Sequence, residues 1–321
     1  MEETKGMRKA SIFFLVVMLL ELPMANVIFA VQRALPAKYE TLVSILGTQG
    51  YLLLAAVVYI LNTRQSLKKD LWIRKYKISS LFLSLLLLVT AAPMASWLNV
   101  FSQLFAKNTT GAAIFEVTEV VPLWLGILII GFLPGIVEET IYRGIIQSAF
   151  RKRSALTGVI VSALSFGLMH LNFNQILYAI YLGIVFALVV EATGSLASTM
   201  ILHMLFNGMN TAYIYILPKF YQKIGENYAE YADFSLEAMI NEQPSTNQLV
   251  LMLIALTPFA AVGLVLTALL LKIIAKRNGR ELTWKSICEK KENMSAAKPV
   301  NGFLIVGWVF CLLIAVCALF K

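Results

Sequence analysis

The sequence predicts an all-α fold, a polytopic transmembrane helical bundle with about eight or nine membrane helices. Hydrophobic residues form 59% of the 321 residues and charged residues only 14%, which is far from the composition of a soluble globular domain. Long apolar runs recur, many of them close to the roughly 20 residues that cross a bilayer. Because backbone polar groups in lipid are satisfied only within helices or closed barrels, and these runs are too long for barrel strands, we expect helices.

Nine apolar segments are candidates for these helices. Glu21 and Pro23 interrupt the apolar core of the first segment. Ile28 is also a poor residue three positions before a cleavage site, so we expect a retained helix rather than a signal peptide. The fourth segment is too long for one simple span. The nine segments are 11–31, 42–62, 78–98, 117–150, 156–172, 175–192, 196–217, 248–271 and 300–320.

The distribution of basic residues predicts the orientation. With the N-terminus in the cytoplasm, the inner segments hold most of the 27 Lys and Arg residues, as the positive-inside rule requires. We therefore expect a multi-pass integral protein of a prokaryotic cell membrane. The net charge of +9 is explained by this topology, so the lipid bilayer is an expected partner and nucleic acid is not.

The chain divides into four predicted regions. Residues 1–116 form N-terminal transmembrane helices, and 117–217 form the core. Residues 218–246 form an outer loop, and 247–321 form C-terminal transmembrane helices with a basic cytoplasmic loop. The three cysteines match no metal-binding or disulfide pattern.

Ionisable residues inside the apolar segments are the candidate functional groups. The chain has only two histidines, His170 and His203, and both lie in strongly apolar surroundings. An earlier apolar stretch carries Glu138, Glu139 and Arg143. An ionisable group within a membrane span suggests a functional site. Three such groups on neighbouring spans predict a site inside the bilayer.

Helical spacing predicts how these groups pair. Glu139 and Arg143 are four residues apart and share one helix face, so the arginine can neutralise this carboxylate. Glu138 points about 100° away and can face another neighbour. His203 and Asn207 are also four residues apart and present two polar groups to one place.

Helix geometry also tests whether these groups lie at one depth. If the basic stretch 151–153 marks the inner surface, Glu138 and His170 lie roughly 18 and 24 Å above it at about 1.5 Å per residue. His203 lies roughly 12 Å above the turn at Gly194-Ser195 by the same rise. These heights overlap near mid-membrane only if the helix that carries Glu138 stays in the membrane as far as Phe150.

Three motifs in this order resemble a known family. Glu-Glu-x-x-x-Arg from Glu138, Phe-x-x-x-His ending at His170, and His-x-x-x-Asn from His203 are similar to those of the CPBP family. This family comprises CAAX prenyl endopeptidases of type II and bacteriocin-processing, Abi-like proteins, which are intramembrane proteases. The resemblance spans about residues 131–217 and implies a catalytic core of four helices.

The resemblance implies an intramembrane endopeptidase that cleaves a membrane-anchored, prenylated or leader-peptide substrate. In that reaction Glu138 with His170 would hold and deprotonate a water molecule. His203 and Asn207 would donate hydrogen bonds to the oxyanion that develops on the scissile carbonyl. The expected partner is therefore a peptide or a membrane protein.

The resemblance also implies that Glu139 paired with Arg143 would order the helix and tune Glu138 as a base.

The resemblance leaves the cofactor open. Members of the family have been described both as metalloproteases and as glutamate-dependent enzymes without a metal. Glu138, His170 and His203 are a possible Zn²⁺ set with an open position for water. The additional asparagine in the motif favours a reaction without a metal.

Two other functions fit the same residues. Polar groups at mid-depth on kinked helices also suit a transporter with a proton or cation site, although the sequence has no inverted repeat. A non-catalytic immunity or scaffold protein with the same fold is the third possibility. The intact motifs favour the enzyme.

Overall fold

The computed structural model of this chain describes residues 2–225, 243–290 and 300–320, and these residues form a bundle of helices without a strand. Each of the nine predicted segments corresponds to a helix, which confirms the all-α, polytopic fold. Two short helices are additional. The helices are α1 Glu2–Gln32, α2 Glu40–Thr63, α3 Ile78–Ser102, α4 Thr110–Val120, α5 Leu123–Phe150, α6 Ala155–Leu168, α7 Phe173–Thr193, α8 Leu196–Gly225, α9 Thr246–Arg277, α10 Trp284–Cys288 and α11 Gly302–Ala318.

The predicted segment 117–150 is divided. Its first residues belong to α4, and α5 begins after Val121 and Pro122. Val121 has an extended backbone, as expected for the residue before a proline. The helix that carries Glu138 does continue to Phe150, which is the condition for a meeting at one depth.

Six helices in the described part of the chain are long and apolar enough to cross a membrane, and α6 and α11 are shorter apolar helices. The sequence predicted about eight or nine membrane helices, more than these six, for two reasons. α6 has only 14 residues and α11 only 17, fewer than the roughly 20 of a full span. α8 has 30 residues, but its polar side chains, among them His203, Asn207 and Asn210, lower its hydropathy.

Helix α5 contains two stretches of π-helix, Ile127–Phe132 and Thr140–Gln147, on either side of the segment that carries the two glutamates. Pro134 lies between the two stretches and lacks the N–H that would complete an α-helical bond to the Ile130 carbonyl. Wider turns of this kind often occur at functional sites in membrane and soluble helices.

Two glycines let α5 approach α8 closely. A methyl group added at Gly131 would lie 3.0 Å from the Met204 carbonyl oxygen, and one at Gly135 would lie 3.0 Å from the Met204 nitrogen. Small residues four apart allow helix backbones to pack tightly in a membrane. This contact brings the glutamates of α5 beside His203 of α8.

The remaining helices surround this core. α1 packs against α2 and α11, and α3 packs against α7 and α9. Glu21 of α1 accepts a hydrogen bond from the Tyr51 hydroxyl of α2. Glu21, which interrupts the first apolar segment, therefore has a hydrogen-bond partner inside the bundle.

A second polar cluster lies where α5 ends, and we call Gln147, Arg151, Glu191 and Trp72 the α5-end cluster. The guanidinium of Arg151 donates to both carboxylate oxygens of Glu191, at 2.9 and 2.8 Å. Gln147 donates to the same carboxylate at 3.0 Å, and the guanidinium carbon lies 3.5 Å from the Trp72 ring centroid. Both oxygens of the Glu191 carboxylate therefore accept hydrogen bonds.

Candidate active site

Glu139 is the centre of a buried charge network. One of its carboxylate oxygens, Oε1, accepts a hydrogen bond from Arg143 at 2.7 Å, so the predicted pairing along the helix is present. The same oxygen lies 2.9 Å from Nδ1 of His203. Because a carboxylate only accepts, Nδ1 carries the hydrogen in this contact and Nε2 is left for other partners.

Glu138 projects in a different direction from Glu139, as its position on the helix predicts, although both carboxylates lie near His203. Its Oε1 accepts a hydrogen bond from the side chain of Gln49 at 2.8 Å. Its Oε2 lies 3.8 Å from Nε2 of His203. In the described residues no lysine or arginine forms an ion pair with Glu138, so its charge is not neutralised in the way that Arg143 neutralises Glu139.

His170 lies in the turn between α6 and α7, two residues beyond the end of α6, and not within the predicted helix 156–172. Its Nδ1 bonds to the Phe166 carbonyl oxygen at 2.9 Å. The Phe166 ring is 5.1 Å from the His170 ring and 5.7 Å from the His203 ring. The phenylalanine therefore packs against both imidazoles.

Asn207 continues the face of α8 that carries His203. Its side-chain nitrogen donates to the Ile130 carbonyl oxygen at 3.2 Å. This carbonyl is the one that Pro134 leaves without its α-helical donor. One hydrogen of the Asn207 amide holds α5 to α8, and the second is available to another acceptor.

Four of the six predicted site residues line one cavity of about 320 Å³, which we call the catalytic cavity. Glu138, His170, His203 and Asn207 belong to its wall. Glu139 and Arg143 lie behind this wall, with side chains that are fully buried. At about 30 Å³ for each water molecule in the liquid, the volume accommodates several waters or a short segment of substrate.

The arrangement does not present a ready-made zinc site. Zinc lies about 2.0–2.2 Å from nitrogen and oxygen ligands, so its ligands must converge on one point. Within residues 2–225, 243–290 and 300–320, no group of three or more His, Cys, Asp or Glu side chains could hold a metal ion. Glu138, His170 and His203 share a cavity, but they are not arranged as a ligand set.

Gln49 is the site residue that the sequence analysis missed. It comes from α2, outside the motifs, and only 6% of its surface is exposed. Its position could have been noticed, because it is an uncharged polar residue within the apolar segment 42–62. Its contact with Glu138 depends on how α2 packs against α5, which no spacing within one helix specifies.

Fold and site together define a class: a multi-pass membrane protein with buried carboxylates and imidazoles around an internal cavity. Residues 120–209 match the family described as Type II CAAX prenyl endopeptidase Rce1-like. The match confirms the resemblance to the CPBP family of intramembrane proteases and supports an intramembrane CAAX-type protease in general. It covers α5, α6, α7 and the first half of α8. Searches of curated proteins and of solved structures give no match.

Proposed function

We propose that the chain is an intramembrane endopeptidase that hydrolyses a peptide bond in a membrane-anchored, prenylated or leader-peptide substrate. The observation that carries this proposal is the wall of the catalytic cavity. There Glu138, which has no arginine partner in the described residues, lies with two imidazoles and an amide. These groups are the ones that peptide hydrolysis needs, a base for water and donors for an oxyanion.

Glu138 is proposed as the general base. A water molecule held between Glu138 and His170 attacks the scissile carbonyl, and its proton passes to the Glu138 carboxylate. The proton then goes to the leaving amine when the carbon–nitrogen bond breaks. Gln49 holds one oxygen of Glu138 in place at 2.8 Å, which leaves the other oxygen for the water.

His203 and Asn207 are proposed to stabilise the oxyanion. Because Nδ1 of His203 donates to Glu139, Nε2 can donate only when the ring is protonated. The carboxylate of Glu139 accepts the hydrogen bond from Nδ1 and so fixes the orientation of the ring, while Arg143 holds the carboxylate at 2.7 Å. The free hydrogen of the Asn207 amide supplies a second donor. Glu139 and Arg143 thus act by positioning His203.

The proposed reaction uses no metal. Chelation should therefore leave cleavage by the purified protein unchanged. Treatment with 1,10-phenanthroline followed by metal analysis tests this expectation. Activity that disappears with the chelator and returns with Zn²⁺ would place a metal in the reaction.

The proposed setting is a prokaryotic cell membrane with the N-terminus and the basic turn 151–153 in the cytoplasm. Residues 117–217 form the catalytic core in this proposal, between N-terminal and C-terminal transmembrane regions. Fusing a reporter enzyme that is active only outside the cytoplasm to Lys107, in a predicted outer segment, or to Lys152, in a predicted inner segment, tests the orientation. Reporter activity is expected only for the first fusion.

The decisive test of the function is mass spectrometry of the membrane proteome. Cells with the wild-type protein should contain new peptide termini that cells with Glu138→Gln lack. The cleaved bonds would identify the substrate. If proteomes are identical and reconstituted protein instead conducts ions across vesicles, the protein is a transporter and the proposal is wrong.

A further inference from the structure

A second cavity, of about 460 Å³, adjoins the catalytic cavity, and we call it the vestibule. It lies among α3, α4, α7 and α8. The two cavities have five wall residues in common, so they meet along a shared boundary. These residues are Thr110, Ile114, Tyr178, Phe206 and Asn210.

The vestibule lies at the end of the bundle opposite the basic turn 151–153. Its wall includes Gln103, just after the end of α3, and Pro244, just before the start of α9. α3 begins at the other end, where Lys77 donates to the Arg277 carbonyl at the end of α9. A molecule that enters through the vestibule therefore reaches the catalytic cavity from the side away from the basic turn.

One face of α8 connects the two cavities. His203, Asn207, Asn210, Ile214 and Leu217 follow helical spacing, and all of them line one or both cavities. From the first to the last of these residues the helix rises roughly 21 Å. An extended polypeptide of about six residues has this length.

Two amide side chains on this path have free hydrogen-bonding groups. Asn210 is exposed and makes no hydrogen bond within the described residues. Gln49 is buried, and its Oε1 has no hydrogen-bond partner in the described part of the chain although its nitrogen bonds to Glu138. A buried acceptor without a donor is unfavourable, so a ligand that brings an N–H group would satisfy it.

We propose that the vestibule and the catalytic cavity form one channel for an extended polypeptide strand, with Asn210 and Gln49 bonding to its backbone. A peptide backbone offers N–H and C=O groups at regular intervals, which these amides can pair with. Apolar wall residues such as Ala95, Val100 and Phe206 accept its side chains. This inference rests on the proposed function and specifies its substrate as an unlipidated peptide segment within the channel.

An isoprenoid chain is the other occupant that a CAAX-type protease suggests. It has no hydrogen-bonding group and would leave the buried side-chain oxygen of Gln49 without a partner. The chemistry of the channel therefore favours the peptide, and the experiment includes the isoprenoid as a contrary outcome.

Photocrosslinking tests the occupant without requiring turnover. The full-length Glu138→Gln protein, in its own membrane, receives the photoreactive residue benzoylphenylalanine in place of Ser96, which is exposed in the vestibule. The matched control carries it in place of Met209, which is 60% exposed and lines neither cavity. We expect polypeptide adducts from position 96 and not from position 209. Isoprenoid or lipid adducts alone at position 96 would overturn the proposal, as would the same polypeptides at both positions.

A kinetic comparison is the second measurement. On a peptide substrate found in the proteome experiment, Asn210→Leu should raise KM about fivefold to tenfold, as expected for one lost hydrogen bond, with little change in kcat. Met209→Leu should leave both constants unchanged. An unchanged KM for Asn210→Leu would overturn the proposal while cleavage itself continued. If the wild-type protein cleaved nothing, crosslinking would still decide whether the channel binds a polypeptide.

Discussion

The catalytic cavity and the α5-end cluster are built from the same kinds of side chains, yet they differ in how their carboxylates are paired. In the α5-end cluster, Glu191 receives two hydrogen bonds from Arg151 and one from Gln147. At the cavity, Arg143 bonds to Glu139. The neighbouring Glu138 has only an amide donor and a distant imidazole.

This difference separates two uses of a buried carboxylate. A carboxylate whose two oxygens are both held by one guanidinium contributes to the packing of helices. In the proposed reaction Glu138 keeps one oxygen for a water molecule, because the guanidinium of Arg143 pairs with the neighbouring Glu139 instead. Four substitutions sharpen the contrast, in order of decreasing expected effect.

The largest effect is expected for Glu138→Gln. The amide has the same shape but cannot accept the proton of the water, so kcat should fall by about 10²–10⁴-fold, the usual contribution of a general base. The thermal midpoint should stay close to that of the wild type. Cleavage of the identified substrate by purified protein measures kcat, and thermal denaturation in detergent measures the midpoint. Activity within threefold of the wild type would remove Glu138 from the reaction, since about 10²-fold is the smallest expected loss.

Glu139→Leu should lower both stability and activity. It leaves the buried guanidinium of Arg143 without its carboxylate, which costs about 3–5 kcal/mol when one partner of a buried pair is removed. Denaturation in detergent measures the loss. The double variant Glu139→Leu with Arg143→Met should regain most of the stability but not the activity, because His203 still lacks its acceptor. Full activity in the double variant would contradict the positioning role.

Glu191→Gln tests the α5-end cluster in the same way. Arg151 is 22% exposed, so water can replace part of the lost interaction and the expected destabilisation is about 1–2 kcal/mol. Activity per folded molecule should not change. A large loss of kcat at full stability would show that this cluster also serves the reaction.

Gln49→Met should have the smallest effect. The substitution removes the donor that holds Glu138 while it preserves the volume of the side chain. We expect kcat/KM to fall about tenfold, which corresponds to one hydrogen bond to a charged acceptor. Leu54→Met is the matched control, since Leu54 is on the same helix and is 64% exposed. Equal kinetics for the two variants would exclude a role for Gln49.

The sequence predicted the parts of this structure that depend on one helix at a time. Nine apolar segments became helices, and spacing along α5 correctly separated the directions of Glu138 and Glu139. The gathering of His170, His203 and Asn207 at one cavity was also predicted, from depth and from the family motifs.

The individual side-chain contacts between helices were not predicted. The bond from His203 to Glu139 arises because Gly131 and Gly135 let two backbones approach closely. The contact of Gln49 with Glu138 requires the packing of α2, which lies outside the matched family region. The break of the fourth segment follows from local chemistry at Pro122, which the hydropathy of the whole segment conceals.

The most direct test of the account is a double-mutant cycle on kcat with Glu138→Gln, His170→Gln and the variant that carries both. If both side chains act on one water molecule, either single substitution already abolishes its activation, and the double variant should be no slower than the slower single variant. Losses that multiply would show that the two residues act independently, and they would contradict a shared water at the centre of the site.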